Sequence, residues 1–365
     1  MPPSKRKAAS TKAKNKKTVT DFIIAGENIK PGERKKLCVD VAKLYDFTDM
    51  DIPIEVVRGK KDGPVLLVCA AVHGDEINGV EITRRLLKHK SLKHLKGTLI
   101  AVPIVNVFGF NANSRYLPDR RDLNRMFPGF KKGSLASQMA YRFMNEIVKK
   151  CTHGIDLHTA AKNRANLPQI RARLDDPEIA RMAHAFKAPI ILDIDMQDGA
   201  LRQSAYDNNI PMILFEGGEP LRFNEKVIQG GLNGIISVMR EIGMLNKLKA
   251  KPTTKKKRKS YIAKSREWLR APHSGILSVK KHLGDHVKKD ELMAVVSDPF
   301  GESTFELRAK KQGIIVGMSL LPLVNSGDGI FHVADFVEDE SKIEKHVDQY
   351  EEQLNTDKDP VRFLN

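Results

Sequence analysis

Between residues 50 and 245, short apolar runs alternate with stretches whose apolar positions recur every three or four residues. IPIEVVRG (52–59), PVLLVCAAV (64–72), GTLIAVPIVN (97–106), GIDLHT (154–159), APIILDID (188–195) and IPMILFEGG (210–218) read as strands. GVEITRRLLKHK (79–90), SLASQMAYRFMNEIVKKC (134–151), PEIARMAHAFK (177–187) and NEKVIQGGLNGIISVMREIGM (224–244) carry the helical period. Strands that are apolar throughout, alternating with helices, predict an α/β fold: a mostly parallel or mixed sheet with helices on both faces. In such sheets a functional site is expected beyond the carboxyl ends of the strands. Upstream, residues 19–48 hold strand-like runs broken by Pro31 and Gly32, and they are read with the main domain as 19–245.

The pattern changes after residue 262. Residues 263–337 are short strands punctuated at Gly275, Gly284, Pro299, Gly301, Gly313 and Gly327, which predicts a small C-terminal β-barrel-like domain. Residues 338–365 form an acidic, polar tail with one short helix in SKIEKHVDQYEEQL.

Charge reshapes this picture only at two places. The formal net charge is +17, yet residues 1–17 carry seven Lys/Arg without an acid and residues 247–259 carry eight without an acid. The excess therefore sits on a basic arm (1–18) and a basic linker (246–262). Such blocks repel themselves and stay solvated, which reads first as a solubilising tail and tether and only second as a place for weak, salt-dependent contacts with polyanions. No run approaches the roughly 20 apolar residues of a spanning helix, so no membrane partner is expected. The basic start lacks the apolar core of a secretion signal, which points to a cytoplasmic location. Cys38, Cys69 and Cys151 are widely spaced and show no CxxC pattern, which gives no sign of a disulfide framework or a cysteine metal site.

Candidate chemistry lies at the strand ends. His73 and Glu76 follow a buried strand and open a helix, and a spacing of three places both on one side of the first turn. Imidazole and carboxylate both suit zinc, which in a catalytic site takes three protein ligands. Alone, HxxE reads equally as a helix-start acid beside an incidental histidine. His158 ends another strand and is the third candidate, with Asp156 two residues earlier as a carboxylate able to fix its tautomer or as a structural acid. Residues 106–129 crowd Arg115, Arg120, Arg121 and Arg125 around Asp119 and Asp122, suiting either recognition of an anionic substrate or local surface ion pairs. Glu216 closes the last apolar strand, where it serves as a general base or as the structural partner of an arginine.

Taken in order, HGDE, RYLPDRRDLNRMFPG, DLHT and FEGG resemble the succinylglutamate desuccinylase/aspartoacylase family of the zinc carboxypeptidase superfamily. The resemblance implies one zinc ion held by His73, Glu76 and His158, with Glu216 as general acid/base. It further implies that Arg115 polarises the scissile carbonyl, that Asn124 and Arg125 grip a substrate carboxylate, and that Asp122 orients His73. Arg202 is the nearest match to an arginine that binds an acidic acyl chain. The implied activity is hydrolysis of the amide bond of an N-acyl amino acid or a similar small carboxylate-bearing conjugate. A zinc carboxypeptidase acting on peptide C-termini is the alternative, and a polyanion-binding protein driven by the basic segments is a rival of another class.

Separately, APHSGILSVKKHLGDHVKKDEL (271–292) resembles the first half of a biotinyl/lipoyl barrel. SDPFGES (297–303) stands where the modified lysine would fall, so an accessory domain narrowing the active-site mouth is expected rather than a swinging arm.

Overall fold

The computed structural model describes residues 21–247, 260–338 and 340–356. The basic arm, most of the basic linker and the end of the acidic tail lie outside the described residues.

The chain opens with β1 (Phe22–Ile24), β2 (Glu27–Ile29), β3 (Arg34–Lys43) and β4 (Asp49–Arg58). It continues as β5 (Lys61–Ala70), α1 (Asn78–Lys88), β6 (Lys96–Val102), α2 (Val107–Asn111), α3 (Leu135–Glu146) and β7 (His153–His158). Then come β8 (Arg164–Ala172), α4 (Pro177–Phe186), β9 (Ile190–Asp193), α5 (Leu201–Tyr206), β10 (Met212–Gly218) and α6 (Glu225–Glu241). The C-terminal part is β11 (Tyr261–Arg270), β12 (Gly275–Val279), β13 (His286–Val287), β14 (Leu292–Ser297), β15 (Thr304–Arg308), β16 (Gly313–Ser319), β17 (Leu323–Val324), β18 (Gly329–Phe336) and α7 (Glu340–Thr356).

A twelve-stranded sheet runs β13-β16-β18-β11-β9-β8-β10-β7-β5-β6-β4-β3. Its centre, β10-β7-β5-β6, is parallel. Strand β5 shows why those strands are apolar throughout. Leu66, Val68 and Ala70 enter the core shared with α1, α4 and α6, while Leu67 and Cys69 enter the opposite core with α3. Helix starts follow their caps: Asp176 accepts from the N–H groups of Glu178 and Ile179, each at 2.9 Å, with Pro177 in the first turn.

The sheet is mixed rather than mostly parallel, and β8 was not anticipated. Only residues 159–163 separate β7 from β8, too few for the crossover of a dozen or more that a parallel return needs. Strand β8 therefore runs antiparallel to β10, with β9 parallel beside it. Pro168 and the polar residues Asn166, Gln169 and Arg171 hide the strand period.

The C-terminal strands wrap into a small barrel-like unit whose core includes Leu277, Val287, Met293, Val296, Ile315 and Phe331. One wall is not separate. Strand β11 pairs with β9 and β18 with β11, so the main sheet continues into the barrel. The remaining wall is the four-stranded sheet β15-β14-β12-β17. Residues expected as a polar tail with one short helix form the 17-residue α7, which docks through Ile343, Val347, Tyr350 and Leu354. A Cβ on Gly230 would lie 2.4 Å from the Tyr350 hydroxyl, so glycine there gives α7 its seat on α6.

Core packing supports one stability prediction. Phe186 is 2% exposed and stacks on Phe215 at 4.9 Å, with Gly234 closing over its edge. Phe186→Ala is expected to cost about 3–5 kcal/mol in denaturant unfolding, because the vacated volume lies between rigid strands and helices.

Candidate active site

Three strand ends and the loops beside them converge on one cavity of about 260 Å³. His73 and Glu76 follow β5, His158 ends β7, and Glu216 lies on β10 directly opposite His158 in the parallel register. The loop carrying His73 needs glycine at position 74, where a Cβ would fall 2.0 Å from the backbone carbon of Gly109. Asn78 ties this loop to the one after β10, donating to the Gly217 carbonyl at 3.4 Å and accepting from the Asn224 N–H at 3.0 Å.

Glu76 is the hub. Its Oε1 lies 2.7 Å from His73 Nδ1, and its Oε2 lies 2.7 Å from His158 Nδ1. The Thr159 N–H donates to Oε2 at 3.0 Å and Arg115 donates to Oε1 at 3.0 Å. Each histidine is braced from behind: His73 Nε2 meets Asp122 Oδ1 at 3.0 Å, and His158 Nε2 meets Asp156 Oδ2 at 2.8 Å. Asp122 is itself fixed by the Asn124 N–H at 2.8 Å and by Arg115 at 3.0 Å.

The electrostatics follow from this arrangement. Burial opposes charge on both histidines, yet Glu76 and Asp122 raise His73, while Asp156 and Glu76 push His158 up to about 10. Burial also opposes charge on Glu76, but the two histidines hold its carboxyl well below the usual carboxylate range. Carboxylates flank both nitrogens of both rings, so the site demands positive charge at the two Nδ1 atoms.

A metal ion meets that demand. One donor atom from each of His73, Glu76 and His158 lies within 4.8 Å of the others, and all three residues are buried. Two imidazoles and one carboxylate are a zinc-type donor set, and Nε2–H donation to Asp122 and Asp156 leaves each Nδ1 lone pair facing the centre. The residues present fit a single zinc ion.

The remaining predicted residues sit around this centre. Asn124 and Arg125 line the cavity on the turn Leu123–Arg125, and Asn124 Oδ1 accepts from the Leu201 N–H at 2.9 Å. Arg202, on α5, is buried within the lining and donates to the Arg171 carbonyl at 3.0 Å. Burial, then the nearby Arg171, brings it down to about 10. Arg120 and Arg121, from the same loop, are not among the lining residues, and Arg121 pairs with Asp119 at the surface.

Sequence reasoning missed several members of the site. Asn166 donates to Glu216 Oε1 at 2.7 Å, and Arg171 Nε meets Glu216 Oε2 at 2.6 Å. Both lie on the unrecognised β8. Arg164 also lines the cavity and sits 4.6 Å over the ring of Trp268, which β11 contributes to the wall. Trp268 is the chain's lone tryptophan, but nothing in its own strand ties it to the motifs upstream. His332 stacks behind it at 4.9 Å and is pulled down to about 3 by burial and then by Arg171, Arg266 and Arg164.

Comparison with known proteins adds to the geometry. Residues 62–242 match the model of the succinylglutamate desuccinylase/aspartoacylase catalytic domain. The chain is 28% identical over 302 residues to the N-alpha-acetyl-L-2,4-diaminobutyric acid deacetylase of Halomonas elongata, covering 79% of this chain and 86% of that protein. It is 26% identical over 156 residues to the succinylglutamate desuccinylase of Pseudomonas aeruginosa, covering 39% and 44%. A succinylglutamate desuccinylase/aspartoacylase structure from Rhodobacter sphaeroides superposes with TM-score 0.75 at 22% identity, covering 84% of this chain and 97% of that one. The product-bound ectoine utilization protein EutE (DoeB) of Ruegeria pomeroyi gives TM-score 0.75 at 22% identity, covering 86% and 98%. At these identities the structural likenesses speak for the fold. No helix among the described residues is long and apolar enough to cross a membrane.

Proposed function

This chain belongs to the succinylglutamate desuccinylase/aspartoacylase family, and from that premise we propose that it is a zinc-dependent deacylase of N-acyl amino acids or similar small carboxylate-bearing conjugates. The observation that carries the reading is the His73–Glu76–His158 cluster, braced by two carboxylates and facing a cavity lined by five arginines. His73, Glu76 and His158 hold the metal, Asp122 and Asp156 fix the two rings, and zinc bound there supplies a Lewis acid at the scissile carbonyl.

The protein's own groups do the rest. Asn124 and Arg125 hold the substrate carboxylate and set the amide in place, the kind of fork-shaped recognition that guanidinium provides. Arg115, already beside Glu76, stabilises negative charge developing on the carbonyl oxygen. Glu216 takes a proton from the attacking water and returns it to the leaving amine nitrogen. Arg202 faces the acyl end. The small cavity, closed on one side by Trp268, favours a small conjugate over a peptide tail.

A panel of N-acetyl- and N-succinyl-amino acids alongside peptides ending in the same amino acids tests this directly. Turnover of the N-acyl amino acids with peptides left intact is expected. Preferential release of C-terminal residues from peptides would make the protein a carboxypeptidase instead. A further expectation concerns the bracing acids: Asp156→Asn keeps the shape but weakens the hold on His158. Zinc affinity, measured by chelator competition, should fall about 10–100-fold.

A further inference from the structure

Glu216 is contacted at both carboxylate oxygens. Asn166 Nδ2 donates to Oε1 at 2.7 Å, and the Arg171 guanidinium lies against Oε2 as an ion pair at 2.6 Å whose buried Nε–H makes no hydrogen bond. A base that is to accept a water proton needs one of them to let go. The two partners are not equivalent. Asn166 is buried and its position is set by close packing, since a Cβ on Gly317 would fall 2.5 Å from its Oδ1. Arg171 lines the cavity with a side chain 28% exposed, and it is Nε rather than a terminal amino group that contacts Glu216.

The surroundings of Arg171 are strongly positive. Its carbonyl accepts from Arg202, and its charge acts on Arg202, Arg266 and His332. Among the described residues, Arg164 and Arg202 make no ion pair, and the Arg164 guanidinium instead sits 4.6 Å over the Trp268 ring. Glu216 is the one carboxylate that Arg171 pairs with there. An anionic ligand group entering this cluster meets several guanidinium groups and can take Arg171 in a two-pronged contact, which competes well with a contact made through Nε.

We propose that Arg171 is a substrate-operated latch on Glu216. An anionic group at the far end of the acyl chain draws the guanidinium away and frees Glu216 Oε2 to take the water proton. Arg171 is thus a positioning residue that makes the charge of the acyl chain a condition for turnover. The inference rests on the deacylase reading above and adds to it how the base is released.

The test uses the zinc-loaded full chain with the N-acetyl and N-succinyl forms of one amino acid, in wild type, Arg171→Met and Arg171→Lys. Wild type should turn over the succinyl form about tenfold faster in kcat, and Arg171→Met should raise kcat on the acetyl form about fivefold while lowering it about tenfold on the succinyl form. Arg171→Lys, which keeps the charge, should keep the wild-type order of the two substrates. Formate added in trans should speed wild-type hydrolysis of the acetyl form and leave Arg171→Met unchanged. A loss by one common factor on both substrates in Arg171→Met, or a wild type indifferent to acyl charge, overturns the latch while leaving the deacylase standing. A wild type that hydrolyses neither form overturns the deacylase reading, and the latch with it.

Discussion

Replacing His158 by alanine is expected to abolish stoichiometric zinc binding and reduce hydrolysis below about a thousandth of wild type, a loss of about 4 kcal/mol in the transition state. His158 is one of the three proposed ligands, and Glu76 contacts it and His73 through separate oxygens. Removing one imidazole leaves a two-ligand site, and zinc affinity should fall by more than the roughly 100-fold that marks the loss of an outer partner. Alanine also strands Asp156, which is completely buried, so this variant is expected to lose stability as well. His158→Gln separates the two effects, because its amide can still donate to Asp156. It should fold like wild type and remain zinc-poor, as read by metal analysis alongside a melting curve.

Glu216→Gln should give the complementary phenotype. Here the zinc ligands are untouched, so metal content stays at wild-type level. The proton carrier is lost, and kcat should fall about 10²–10⁴-fold, the range for a positioned acid–base group. Because Asn124 and Arg125, the residues proposed to hold the substrate carboxylate, lie on a separate turn, KM should change little. A variant that kept full kcat would remove Glu216 from the chemistry and leave it as the structural partner of Arg171.

The contrast between these two positions shows what the sequence made legible. His73, Glu76, His158 and Glu216 stand at the ends of strands that are apolar on both faces, and such strands announce themselves as unbroken hydrophobic runs. The arginine-rich segment 106–129 was visible because its polarity interrupts that pattern. Strand β8 was not, since it is polar where it faces the site and carries Pro168 in its middle. Its residues Asn166 and Arg171, the two that contact Glu216, were lost with it. Trp268 was hidden for another reason. A chain reading treats residues after the basic linker as a unit apart, whereas β11 hydrogen-bonds to β9 and brings that ring to the cavity. Pairing between strands so far apart in the chain, as of Tyr261 with Ile190, leaves no periodic trace in either one. The helix α7 was underestimated because its buried positions, among them Ile343, Val347, Tyr350 and Leu354, make a faint stripe on a charged background.

The central claim is that the His73–Glu76–His158 cluster is a zinc centre on which amide hydrolysis depends. The most direct measurement strips the purified protein with a chelator, restores one equivalent of zinc, and follows metal content and hydrolysis of an N-acyl amino acid together. The account predicts one tightly bound zinc per chain, no activity in the stripped protein, and recovery in proportion to zinc restored. Undiminished activity in protein shown to be free of metal would contradict it.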